Sequence, residues 1–221
     1  MNWEGAGTVH QDCVVFYKVG EEYGGLSNMS NDFPLVVDGV RLGSSEALYQ
    51  ACRFPQRPDW QREVLDAPHA MRAKMAARKE GRRKQHTRAD WERVQEAVMR
   101  WCLRVKLAQH VTRFGGLLRR SAPRPIVEQS RKDRFWGAVL EKDGVLRGEN
   151  RLGLLLMELR DELLACEVAG QASRLLRVEP PQVPEFLLLG KPIAVSDSTG
   201  QHKPAARDDG PPAPHPQSEG G

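Results

Sequence analysis

Apolar residues recur along this chain with two different periods, and the change from one to the other divides it. Cys13-Val-Val-Phe-Tyr17 is β-branched and aromatic, which predicts a strand, and Tyr23-Gly-Gly-Leu-Ser-Asn28 then predicts a loop. Leu35-Val-Val37 and Val40-Arg-Leu42 flank Asp38-Gly39, a pair that accepts positive φ at both centres of a two-residue turn, so a β-hairpin is predicted. Beyond residue 44 the helical period takes over. Trp91, Val94, Val98, Trp101, Val105 and Ala108 alternate spacings of three and four, which sets them on one stripe of a helix over 90–110. Leu152, Leu155, Leu156, Leu159 and Leu163 form a similar stripe behind Asn150, a suitable N-cap.

Two further helices follow from end signals. Ser44 or Ser45 suits the N-cap of a helix carrying Glu46, Tyr49, Gln50 and Arg53 on one face, and Asp66-Ala67-Pro68 opens another that runs to about residue 80. Between the long helices, Ile126-Val-Glu128 and Asp133-Arg-Phe-Trp-Gly137 read as short irregular pieces. Nine of the fifteen prolines lie in 180–221, too polar and proline-rich a stretch to offset its ordering entropy. A single compact α+β domain, predominantly α-helical, is therefore expected over 13–168, with a short N-terminal β-hairpin or sheet and a central cleft. A flexible leader (1–12) precedes it. A largely disordered tail (169–221) follows, in which Phe186-Leu-Leu-Leu189 is an apolar knot suited to docking.

Composition narrows the class. Residues 180–221 hold three of the 33 Lys/Arg and five of the 29 Asp/Glu, so the part before them is more basic than the whole-chain charge of +4. That balance suits a polyphosphate or nucleic-acid partner. Cys13, Cys52, Cys102 and Cys166 are too dispersed for a CxxC metal knuckle and read as reduced core residues of a cytoplasmic protein. Neither a secretory signal nor a run of about eighteen apolar residues is present, which argues against a membrane partner.

Candidate chemistry lies in three polar clusters that interrupt the core pattern: Ser27-Asn28 with Ser45-Glu46, Glu128 to Trp136, and Gly148-Glu-Asn150. Each has a plain structural explanation when taken alone. A carboxylate at a helix start complements the macrodipole, a tryptophan beside Gly137 fills core, and an asparagine caps. The run Arg72, Lys74, Arg78, Lys79, Arg82, Arg83, Lys84 and Arg88 places eight cations in seventeen positions with only Glu80 opposing. It is either a solvated helix face or a phosphate-binding segment. Walker, Rossmann, HExxH and GxSxG motifs are all missing, which favours chemistry without metal or nucleotide cofactor.

Taken in chain order, the pieces resemble the NADAR family, best known for its YbiA-like N-glycosidases. The matching segments include Tyr23-Gly24-x-Leu26-Ser27-Asn28, Ser44-Ser45-Glu46-x-x-Tyr49-Gln50-Ala51-x-Arg53-Phe54, Arg88-x-Asp90-Trp91 and Lys106. They continue through Ile126-Val127-Glu128-x-Ser130, Asp133-x-x-Trp136-Gly137 and Gly148-x-Asn150-x-Leu152-Gly153, so the likeness covers about residues 14–165. Where the YbiA-like branch has a histidine after the glutamate, Ala47 stands here. The Ser-Ser-Glu-Ala version looks like the branch that accompanies DNA ADP-ribosyltransferase toxins and removes ADP-ribose from guanine.

The resemblance implies hydrolysis of an N-glycosidic bond at a ribose C1, without cofactor or metal. Such cleavage develops positive charge on the sugar while the leaving nitrogen needs a proton. The resemblance then assigns Glu46 and Asp133 as catalytic carboxylates, and Trp136, Trp91 and Tyr49 as stacking partners for the base. Asn28, Arg53, Lys106 and Asn150 become anchors for ribose and pyrophosphate, and Ser45, Glu128, Ser130 and Gly137 further binding residues. Arg78, Arg82, Arg83, Lys84 and Arg88 are expected to hold phosphates of a DNA strand. The substrate expected is ADP-ribosylated guanine in DNA or nucleotide, with a cognate ADP-ribosyltransferase toxin as functional partner. Two other readings stand beside it: a glycosidase of phosphorylated ribosylamino-pyrimidine intermediates of riboflavin synthesis, and a non-catalytic ADP-ribose or NAD-binding module.

Overall fold

The structure is a computed structural model that describes residues 8–9, 13–79, 81 and 85–199, the first two through their backbone alone. Its first strands are β1 (Thr8–Val9), β2 (Val14–Phe16), β3 (Leu35–Val37) and β4 (Val40–Leu42). Helices α1 (Ser45–Ala51), α2 (Pro58–Leu65), α3 (Ala70–Ala77), α4 (Trp91–Gln109) and α5 (Arg113–Ser121) follow. Then come β5 (Ile126–Glu128), β6 (Val139–Leu140), β7 (Val145–Arg147) and the long α6 (Arg151–Val168). The fold is α+β with small sheets, as its sequence pattern leads one to expect.

Helix α4 is the central post. All six residues of its predicted stripe are buried, and the stripe of α6 is buried with them in one cluster shared with β2, β3 and α1. Asp38 and Gly39 take φ of 49° and 76°, so the β3–β4 hairpin turns through the two positive-φ residues its sequence calls for. Residues 24–26 form a 3-10 turn within the predicted loop, and a Cβ at Gly24 would lie 2.2 Å from Val19 O. Only glycine allows that approach.

Four elements differ from expectation. Ile126–Glu128 is a strand that pairs parallel with β2, Phe16 opposite Glu128, although three residues are too few to show a period. Helix α2 has no side-chain cap to announce it and begins with Pro58 inside its first turn. Helix α3 starts at Ala70 rather than at Pro68, because the His69 side chain accepts from Arg72 N. In the leader, β1 pairs antiparallel with β7.

The larger correction concerns the tail. Residues 172–197 fold onto the body through a 3-10 turn and four two-residue strands, β8 (Arg177–Val178), β9 (Leu187–Leu188), β10 (Lys191–Pro192) and β11 (Ser196–Asp197). Phe186 sets its ring edge-on to Trp101 of α4 at 4.9 Å, and Leu175, Val178, Leu188 and Ile193 are buried beside it. Gln61 of α2 clips this strap by donating to Leu187 O and accepting from Leu189 N. Residues 200–221 lie outside the described residues. The anchoring side chains are few and widely spaced, which is why average composition conceals them.

Phe186→Ala is expected to lower unfolding free energy by about 3 kcal/mol, the cost of an aromatic cavity against Trp101. Denaturant titration of the full chain reads this; an undocked strap would leave the midpoint unchanged.

Candidate active site

Helix α1 begins where the hairpin ends, and its cap decides where the first polar side chain points. Ser44 has extended backbone and its Oγ accepts from Ala47 N at 3.2 Å. Glu46 follows in the first turn, 5% exposed, with its backbone N–H donated to Asn28 O. Its Oε1 accepts from Gln50 Nε2 at 2.9 Å and lies 3.9 Å from Lys74 Nζ of α3. Arg53 continues the chain: Nη1 donates to Gln50 Oε1 at 3.4 Å, and the guanidinium stands 5.2 Å from the Trp91 ring centre.

Glu46, Tyr49 and Gln50 of α1, with Arg53 just past its end, open into a cleft of about 1250 Å³. Its aromatic wall is assembled from three distant segments. The Tyr49 ring lies 5.0 Å from Trp91 and 5.7 Å from Trp136, the latter edge-on. Burial, and next the Glu46 carboxylate, raise the Tyr49 hydroxyl above its ordinary range, so it stays neutral.

The facing wall comes from β5 and the loop after it. Asp133 Oδ1 accepts from Phe135 N at 3.1 Å and Trp136 N at 3.0 Å, a local turn that fixes where the indole goes. Ser130 Oγ accepts from Asp133 N at 2.9 Å and so holds the same turn. Glu128 ends β5 with its backbone fixed on both sides. Its N–H donates to Asn150 Oδ1 at 3.1 Å and its carbonyl accepts from Ala138 N at 2.8 Å. Burial first, then the Glu46 charge and to a lesser degree Asp133, push the Glu128 carboxyl up to about 7, against a downward pull from Lys74.

Nine of the residues singled out for catalysis or binding line this cleft: Asn28, Glu46, Tyr49, Arg53, Trp91, Glu128, Ser130, Asp133 and Trp136. Four stand behind it. Ser45 is buried and donates to Asn28 Oδ1 at 2.9 Å. Lys106 is fully buried, gives its ammonium to Gly25 O and Ser27 O at 2.7 and 3.0 Å, and is pulled down to about 7 by burial. Asn150 is buried, occupies the N-cap position of α6 with φ 51°, and spends its amide on Ile126 O and Glu128 N rather than on the helix. Gly137 lies against β5, where a Cβ would sit 2.5 Å from Glu128 O. All four stand outside the cleft lining and pack against or bond to the segments that form it.

Of the proposed phosphate contacts, Arg78 and Arg88 line the cleft, while Arg82, Arg83 and Lys84 lie outside the described residues. Arg88 is engaged by Asp90 at 2.6 Å and by Pro184 O of the strap at 2.7 Å, while its Nη1 is buried without a partner. Sequence reasoning missed four lining residues of note, Tyr17, Gln50, Lys74 and Arg131, as individual site members. Gln50 was signalled by its position one turn after Glu46. Arg131, which donates to the Tyr17 hydroxyl at 2.6 Å, carried no signal.

The NADAR domain model matches residues 15–164. The chain belongs to the NADAR family. It is 38% identical over 156 residues to N-glycosidase YbiA of Escherichia coli (strain K12), covering 70% of this chain and 91% of that protein. The NMR structure of the E. coli protein YbiA superposes with a TM-score of 0.60 at 35% identity, over 72% of this chain and 90% of that one. A riboflavin biosynthesis protein of Vibrio vulnificus is 34% identical over 157 residues, 70% of this chain but 40% of its own length. As a NADAR protein similar to N-glycosidases, the chain is an enzyme of the glycosyl hydrolase class. Among the described residues no helix is long and apolar enough to cross a membrane.

Lys106→Met is expected to strip the carbonyls of Gly25 and Ser27 of their partner and to cost about 1–3 kcal/mol of stability. Calorimetry should show the lowered melting point, with KM for any substrate little changed. A raised KM at unaltered stability would return Lys106 to the ligand.

Proposed function

We propose that the protein hydrolyses the N-glycosidic bond between ADP-ribose and a guanine base in DNA, and so erases the mark of an ADP-ribosyltransferase toxin as an antitoxin or repair enzyme. The observation that carries this reading is a buried carboxylate, Glu46, at the foot of an aromatic wall in a cleft of about 1250 Å³. A carboxylate there stabilises positive charge growing at the ribose C1, or takes the proton of the attacking water. Trp136 and Trp91, with Tyr49 between them, offer flat faces and edges to the departing base. The cleft exceeds the roughly 300–1,000 Å³ typical of small-ligand sites, which favours a substrate as large as an ADP-ribosylated nucleotide.

Charge around the cleft agrees with a phosphate-bearing ligand. Lys74 of α3 and Arg78 just past its end stand on one side and Arg131 on the other, while Arg88 is paired with Asp90. Asn28 and Arg53 line the interior, at positions suited to ribose and pyrophosphate oxygens. A second reading, hydrolysis of phosphorylated ribosylamino-pyrimidines, draws on the riboflavin biosynthesis protein among the relatives. The two differ in how much of the cleft the substrate fills.

The test is turnover of an oligonucleotide carrying ADP-ribosyl-guanine beside a phosphorylated ribosylamino-pyrimidine. We expect kcat/KM to favour the oligonucleotide, to fall steeply with added salt, and to drop at least about 1,000-fold in Glu46→Gln. Preference for the pyrimidine would select the second reading, and full activity of Glu46→Gln would remove that carboxylate from the chemistry.

A further inference from the structure

The reaction just proposed needs a proton for the leaving nitrogen, and the cleft holds three carboxyl groups from which to choose. Their surroundings differ. Glu46 accepts from Gln50 and lies 3.9 Å from the Lys74 ammonium. Asp133 accepts two backbone N–H groups through one oxygen, which spends it on the turn beneath Trp136. The Glu128 carboxyl receives no hydrogen bond and no ion pair from any described residue, and it shares the cleft lining with both of the others, Asp133 on its own wall and Glu46 opposite.

On this geometry we infer that Glu128 is the general acid, delivering its proton to the leaving nitrogen while Glu46 serves the sugar and the water. The inference rests on the N-glycosidase reading. As the C1–N bond breaks, its electron pair goes to nitrogen, which takes the Glu128 proton. The water oxygen bonds C1 and gives a proton to Glu46, and transfer of that proton through solvent restores both groups.

Two features fit Glu128 for this work. Its backbone is clamped between the Asn150 amide and the close-packed Gly137, so the acid is held in place before substrate arrives. The charged groups that face it are Glu46 on α1, Lys74 on α3 and Asp133 on the loop after β5; the two carboxylates, together with burial, outweigh the single ammonium. A group poised near neutrality combines a large protonated fraction with a ready proton. The placement also turns Asn150 and Gly137 from ligand contacts into positioning residues for an acid.

Glu128→Gln keeps shape and loses the proton, and its leaving-group dependence tests the role. Against ADP-ribosyl-guanine we expect a loss of about 100–10,000-fold in kcat, and against an ADP-ribose whose C1 carries 4-nitrophenoxide, which needs no proton to leave, less than about 10-fold. The wild-type pH profile should fall as pH rises through about 7, and that limb should vanish in the variant. Equal losses on both probes, or none, would overturn the role. Carbon-13 NMR of carboxyl-labelled glutamate decides without any substrate, and so separates this inference from the choice of substrate. A carboxyl titrating near neutrality and absent from Glu128→Gln upholds the acid, whereas a Glu128 already ionised at about pH 5 refutes it.

Discussion

Gathering three carboxyl groups around one cleft is electrostatically unfavourable, and much of the surrounding structure answers that cost. Like charges in a partly desolvated space raise one another's proton affinity, so the arrangement holds only where each group has its own remedy. Glu46 has Gln50 and the Lys74 ammonium; Asp133 has two peptide N–H groups. Glu128 has neither, and burial beside the Glu46 charge pushes its carboxyl up to about 7. The unequal provision gives groups of identical chemistry different surroundings, and glycoside cleavage asks different work of its carboxyl groups.

The supports of these groups reach well into the core. Asn28 receives the Ser45 hydroxyl and gives its carbonyl to the Glu46 backbone, and the turn ahead of it is tied down by the buried Lys106. On the opposite wall Asn150 takes a left-handed backbone at the mouth of α6 so that its amide reaches β5. Its place at a helix start is thus incidental to its bonds. The parallel pair β2–β5 is short, and such side-chain clamps hold its end where Glu128 emerges.

Long-period features were legible in the sequence, and short ones were not. The stripes of α4 and α6 announce themselves over five or six positions, and Asp38-Gly39 names its own turn. Strand β5 has three residues, too few for a period, so Glu128 looked like part of a loop. The candidate site divides in the same way. Residue types told which positions carried polar chemistry, and most of them do converge on one cleft. They did not tell which polar atoms would be consumed by the backbone, because an asparagine amide or an ammonium has the same letter whether it meets a ligand or a peptide carbonyl. Lys106, whose ammonium goes to two peptide carbonyls, is such a case.

The strap over residues 172–197 lies beyond the segment matched to the NADAR domain, yet it presses Phe186 into α4 and lends a carbonyl to Arg88 at the cleft. Cutting the chain at the family boundary would bare an oily seam along Trp101, inviting such fragments to stick to one another. The cleft wall beside Arg88 is thus braced by a stretch that lies outside the residues matched to that domain.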